Sequence, residues 1–250
     1  MAKITAKLPV QCTILLIAAL NSHMGARAAD KPGWLLTQSA KVLGARKMYI
    51  GPQGEIKILE RQGCAIVCAG PDWQPRAYNL STGTKSVVNP KTWERTFALL
   101  YSFQIHLDGN KLKYQGLRRL GQQKVRWFVY EPSADSPVKR VEYFEAPEIE
   151  INPKAASTLA QIDKLPLTKY APLRLTFYNR RGEPEQILDT TKISRESLPK
   201  DFFICPKNLR SAPDMEVITG SMVGDVLSDM TGSLGKEIDA RQKPSSKGGR

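Results

Sequence analysis

Few residues in this chain have the chemistry of a nucleophile, a base or a metal ligand, and they are scattered. Cys64 and Cys68 could form a redox or metal pair, but Cys-Ala-Ile-Val-Cys has the composition of a strand. Four residues of extended strand span about 13 Å, whereas the Cα atoms of a disulfide lie within about 7 Å. In a regular strand the two cannot bond to each other. Cys205 offers a distant partner, and closing that loop of about 140 residues would stabilise by up to about 5 kcal/mol on the entropic account. Three free buried thiols are the competing reading. His106 is the one histidine beyond the N-terminal segment, so it would have to serve any Ser or Cys triad alone, and no Gly-x-Ser-x-Gly accompanies it. No zinc cluster, P-loop or HExxH motif occurs. Glu142, Glu145, Glu148 and Glu150 form the densest carboxylate group; the first two read as solvated charges near a strand's end rather than as a glycosidase pair. The chain is expected to be non-enzymatic, with no metal and no cofactor.

The elements that must position these residues begin after residue 28. Lys3 and Lys7, the apolar run from Leu8 to Leu20 and the small-x-small pattern Ala26-Arg27-Ala28 have the form of an export signal. Its apolar core is shorter than the roughly 20 residues that span a bilayer. Cys12 lies inside that core, so no lipid anchor is expected, and the working chain is placed in the periplasm or outside the cell. Cleavage after Ala28 removes three of the 37 basic residues and none of the 24 acidic ones, leaving a net charge of about +10. Such a surface favours anionic partners: a membrane surface or an acidic envelope polymer, with nucleic acid disfavoured by export. Solubility alone would also account for the charge.

Residues 29–210 are expected to form one α+β domain. Trp34-Leu35-Leu36, Ala40 and Val42-Leu43 suit a short amphipathic helix ended by Gly44. Strands are expected from Arg46 to Ile50 and from Glu55 to Leu59 around Gly51-Pro52-Gln53-Gly54. Gly63 to Ala69 is apolar on both faces, as an interior strand is. A hairpin follows around Ser81-Thr82-Gly83. Asn89-Pro90 marks a helix start, with Trp93, Phe97 and Tyr101 on one face. Strands are expected at Lys111–Tyr114, Gln123–Glu131 and Val138–Phe144; in the second, Val125, Trp127 and Val129 alternate with Lys124, Arg126 and Phe128. Asn152-Pro153 repeats the helix-start device, and Leu173–Phe177 and Gln186–Ile193 complete the strand set.

The best candidate for a function is an apolar cavity between helix and sheet, lined by Trp93, Phe97, Tyr101 and Trp127. The competing reading gives these aromatics to a solid core. From about residue 211 to 250 the character changes. Met215, Ile218, Met222, Val226, Met230, Leu234 and Ile238 recur mainly at intervals of four, interrupted by glycines and followed by a basic tail. This segment reads either as a loosely ordered appendage or as one that folds on a partner or membrane surface.

The order of elements resembles the superfamily of periplasmic lipoprotein-carrier, or outer-membrane lipoprotein-sorting, proteins. The resemblance runs through Lys47-Met48-Tyr49-Ile50, Gly54-Glu55-Ile56-Lys57-Ile58, Pro71-Asp72-Trp73, Tyr78-Asn79 and Pro90-Lys91-Thr92-Trp93. It continues in Pro172-Leu173-Arg174-Leu175, Arg181-Gly182, Ile187-Leu188-Asp189-Thr190 and Leu198-Pro199-Lys200-Asp201-Phe202-Phe203. It implies a curved antiparallel half-barrel wrapped around a few helices, whose hollow shelters acyl chains. The expected partner is a lipid or a lipidated protein. A protein or anionic polymer held by the basic surface is the alternative.

Overall fold

Trp34-Leu35-Leu36 lies in a strand, not in the expected helix. The computed structural model describes residues 30–41, 44–60, 63–89, 111–163, 165–213 and 217. In it Lys31–Ala40 is β1, hydrogen-bonded along both edges. Leu36, Gln38 and Ala40 alternate into the interior, a period of two that three consecutive apolar residues had hidden. Gly33 fixes the packing: a Cβ there would stand 2.3 Å from Leu198 Cδ1 and 2.9 Å from the Ile50 carbonyl oxygen.

Among the described residues twelve strands form one open sheet. From β1 the chain steps outward through β2 (Gly44–Ile50), β3 (Ile56–Leu59), β4 (Cys64–Cys68), β5 (Arg76–Asn79) and β6 (Thr84–Val87). It resumes at the opposite edge with β7 (Lys113–Leu120). From there it steps back through β8 (Gln123–Tyr130), β9 (Val138–Glu150), β10 (Tyr170–Asn179) and β11 (Pro184–Leu198), which pairs with β1. Every pairing is antiparallel except that of β12 (Arg210–Ser211), which lies parallel to β6. Register shifts in four of the pairings mark bulges, which bend strands and give the sheet its curvature.

Among the described residues there is one helix, α1 (Pro153–Asp163), so the fold is sheet-dominated and the expected wrap around a few helices is corrected. Its start is the anticipated device: Asn152 Oδ1 accepts the Lys154 N–H at 3.0 Å, and Pro153 occupies the first turn. Ala155, Ala156, Leu159 and Ile162 are buried in the main core with Leu36, Met48, Ile58 and Ile66. β4 is buried on both faces as expected; Ala65, Val67 and Tyr78 pack under Phe203, Cys205 and Leu209 on the side away from that core. Residues 1–29 and 90–110 lie outside the described residues, and with them the expected signal, His106 and the Trp93, Phe97 and Tyr101 helix. Of the C-terminal stripe only Val217 is described, fully buried in the main core.

Candidate functional site

The β7–β8 hairpin turns at Gly121-Gln122, with Gly121 at φ +61°, the conformation the first position of such a two-residue turn requires. This turn sets the register of everything beyond it. Leu117 faces Arg126 and Tyr114 faces Phe128 across the pair. On the other side of β8, Arg126 faces Glu145 and Phe128 faces Tyr143 on β9. One face therefore carries an aromatic ladder, with ring centroids 5.4 Å apart from Tyr114 to Phe128 and 6.1 Å apart from Phe128 to Tyr143.

Over this ladder the connection from α1 to β10 closes a cavity of about 210 Å³. Leu112, Phe128, Tyr143, Pro166 and Leu167 give it apolar walls; Arg126, Glu145, Thr168 and Lys169 supply the polar groups. Pro166 and Leu167 are held in place from below. The Tyr143 hydroxyl lies 3.3 Å from Thr168 Oγ1, which itself donates to the Tyr170 carbonyl at 3.1 Å. Leu167 is 65% exposed and Leu117 and Tyr114 are each 51% exposed, so apolar surface continues out of the cavity mouth.

Glu145 is the unusual member. Its side chain is 1% exposed, and Oε1 lies 2.8 Å from Arg126 Nη1, yet neither carboxylate oxygen accepts an aligned hydrogen bond. Burial raises its pKa above the ordinary carboxylate value, against the opposing influence of Thr168, Arg126 and Lys169. Burial raises the Tyr143 phenol as well. The Arg126 guanidinium lies between 5.0 and 5.3 Å from the rings of Tyr170, Phe128 and Tyr114. The expectation that Glu142 and Glu145 are solvated is corrected. β9 runs on to Glu150, which places both in mid-strand. Glu142 accepts from Arg140 at 2.5 Å and from the Tyr178 hydroxyl at 2.9 Å.

Trp127, the described member of the expected aromatic set, points away from this cavity. It shares its face with Val125 and Val129, alternating with Arg126 and Phe128. The Arg118 guanidinium sits 3.2 Å from its ring centroid, and its indole N–H has no hydrogen-bond partner among the described residues. Trp93, Phe97 and Tyr101 lie outside the described residues, so Trp127 is placed without them. Phe128 and Tyr143 carry no signal of the cavity in the sequence, because alternation shows which residues share a face and not which face is hollow.

Two other polar clusters are structural. Arg46, on the α1 side of β2, is bound by both oxygens of Asp163 at 2.7 Å and by Gln38 Oε1. Among the described residues Cys64, Cys68 and Cys205 form no disulfide; Cys68 Sγ donates to the Trp73 carbonyl at 3.2 Å, and burial raises the Cys68 and Cys205 pKa values. Among the described residues no three potential ligands gather to hold a metal.

No protein-family profile matches the sequence, and no curated protein sequence matches it. Solved structures do. An uncharacterized conserved protein from Thermus thermophilus matches with a TM-score of 0.39 and 13% identity, over 81% of this chain and 99% of that one. MucB in complex with MucA(peri) matches with a TM-score of 0.37 and 11% identity. That match covers 75% of this chain and 58% of MucB. A putative outer membrane lipoprotein-sorting protein domain from Vibrio parahaemolyticus matches at 0.26 and 11%, over 76% and 95%. These three structures share 13% identity or less with the chain.

Proposed function

We propose that this chain is an exported, non-enzymatic binding protein that holds a lipid or a lipidated ligand in an apolar hollow of its sheet. The observation that carries this reading is the cavity under the α1–β10 connection, walled by Leu112, Phe128, Tyr143 and Leu167. Ligand pockets combine such apolar walls with a few convergent polar groups. At about 210 Å³ the cavity is smaller than the roughly 300–1,000 Å³ of pockets that enclose a whole small ligand. It suits one end of an amphiphile, with the remaining chain lying over Leu167, Leu117 and Tyr114. Lys169 at the mouth, with its side chain 62% exposed, is placed to meet an anionic headgroup. Trp93, Phe97, Tyr101 and Trp127 stay in the proposal as a separate apolar set, since Trp127 lies on the face of β8 opposite this cavity.

A second reading rests on the same edge of the sheet. β7 carries Lys113, Arg118 and Arg119 and no acid, which favours an anionic polymer or an acidic protein partner. Mass spectrometry of the protein purified without detergent separates the two. A co-purifying lipid released on denaturation supports the first. Its absence, together with salt-sensitive retention on an acidic polymer, supports the second.

A further inference from the structure

Arg119 and Lys124 face each other across the β7–β8 pair. Like charges set directly opposite weaken a hairpin, so folding alone gives no reason for them. Resting on the amphiphile-binding reading, we propose that this hairpin docks the chain on an anionic lipid bilayer, with the cavity mouth turned toward the membrane surface.

Charge is the first ground. β7 and β8 carry Lys113, Arg118, Arg119, Lys124 and Arg126 and no Asp or Glu. Arg126 lies 2.8 Å from Glu145; the other four form no ion pair among the described residues. The carboxylates at the adjoining end of β9 have partners of their own: Glu148 accepts from Gln123, and Glu150 lies 3.6 Å from Lys169. A hairpin with four uncompensated cations is drawn to a negative surface. Each Lys or Arg near anionic lipid strengthens binding by about fivefold.

Apolar exposure is the second ground. Tyr114 and Leu117 are each 51% exposed, and both lie on the cavity side of the hairpin. Tyr114 faces Phe128, its ring centroid 5.4 Å away, and Leu117 faces Arg126. Phe128 and Arg126 line the cavity together with the exposed Leu167. Binding at a bilayer interface grows with the apolar area buried there and with attraction to anionic lipid. A soluble acidic polymer would use the cations and leave Tyr114, Leu117 and Leu167 in water.

The edge of the sheet argues against a second copy. β7 ends the sheet among the described residues, and an open edge can add a strand. A second copy added there would set Lys113, Arg118 and Arg119 against their own counterparts, which like-charge repulsion opposes. An acidic protein could match the charge, but a bilayer also supplies and receives an amphiphile at the cavity mouth.

The test is flotation of the full chain with vesicles of phosphatidylglycerol and phosphatidylcholine in equal parts, with hydrogen–deuterium exchange mass spectrometry on the same mixtures. The wild type should bind these vesicles, leave them as salt is raised, and bind pure phosphatidylcholine vesicles at least about tenfold more weakly. Amide exchange in β7 and β8 should slow on the vesicles, while exchange in β5 and β6 stays as it is in solution. The double variant Arg119→Gln with Lys124→Gln should bind about twenty-five-fold more weakly, two charges at about fivefold each. Neither residue lines the cavity, so uptake of the apolar probe N-phenylnaphthylamine should be unchanged. With the opposed cations gone, the melting temperature should not fall. Unchanged exchange in β7 and β8 on the vesicles, or a variant that binds as the wild type does, would overturn the docking surface while the cavity reading stands. Retention on soluble polyglutamate without vesicle binding would overturn it in favour of an acidic partner. Vesicle docking through β7 and β8 by a protein that takes up no N-phenylnaphthylamine would support the docking surface and reject the amphiphile-binding reading alone.

Discussion

Arg46 and Asp163 join the sheet to its helix: both carboxylate oxygens of the last residue of α1 lie 2.7 Å from the Arg46 guanidinium nitrogens, and the two side chains are 0% and 5% exposed. Gln38 completes the network, accepting from Arg46 and donating to the Pro172 carbonyl at 2.9 Å and to Thr190. One fully buried ion pair thus ties β2, β1 and β10 to the end of α1.

Removing one partner leaves the other charge buried and unpaired, which costs about 3–5 kcal/mol. Asp163→Ala should therefore lower the urea-unfolding free energy by about that amount. Replacing both, as Arg46→Met with Asp163→Leu, should cost less than the single variant. If Asp163→Ala unfolds with a wild-type midpoint and slope, the pair does not hold the helix to the sheet.

Glu60 lies near this pair in the charge network, and burial lifts its carboxyl to about 7 from the ordinary 4.5, with Arg46 pulling it down and Asp163 pushing it up. The folded state thus holds this proton more tightly than the unfolded chain does. Its stabilising contribution is complete below about pH 4.5 and is lost as pH rises to about 7. Relative to Glu60→Gln, the wild type should lose on the order of 3 kcal/mol across that window. Parallel denaturation series at several pH values check this. A difference between the two proteins that does not change with pH would contradict it.

The β2–β3 turn is pressed against the start of α1. Gly54 has φ +79°, its carbonyl accepts the Asn152 N–H at 3.1 Å, and a Cβ on it would stand 2.3 Å from Asn152 N. Gly54→Ala should therefore destabilise by more than about 1 kcal/mol, and Asn152→Ala, which removes the cap, by about 1 kcal/mol. Thermal melts of the two variants rank them; Gly54→Ala melting above Asn152→Ala would contradict the close approach.

Much of this architecture is legible in local pattern. Val125, Trp127 and Val129 alternate with Lys124, Arg126 and Phe128 along β8, and Asn152-Pro153 announces α1 from its own two residues. Glycines mark the turns at Gly54 and Gly83. β1 is not legible, because Trp34-Leu35-Leu36 satisfies a helical and an extended spacing equally and only pairing with β2 and β11 on both sides decides. The cavity is illegible for a related reason. Whether Glu145 is wet or buried depends on its register opposite Arg126 and on the return of Pro166 and Leu167 over β9, and neither relation has a local signature. Trp127 stands out in the sequence as a large aromatic, yet its neighbour Phe128 lines the hollow.

The proposal that the hollow beside Phe128 and Leu167 takes an apolar chain rests on the lining of that cavity. It is tested most directly by titrating the protein with N-phenylnaphthylamine, a neutral probe that fluoresces in apolar surroundings, against Leu167→Asp. Leu167 is 65% exposed, so the substitution should leave unfolding within about 0.5 kcal/mol of the wild type while placing a charge at the cavity mouth. The predicted result is saturable enhancement with the wild type and an affinity about tenfold weaker with Leu167→Asp, equivalent to about 1.4 kcal/mol. No enhancement with the wild type, or equal affinity in the two proteins, would contradict the account.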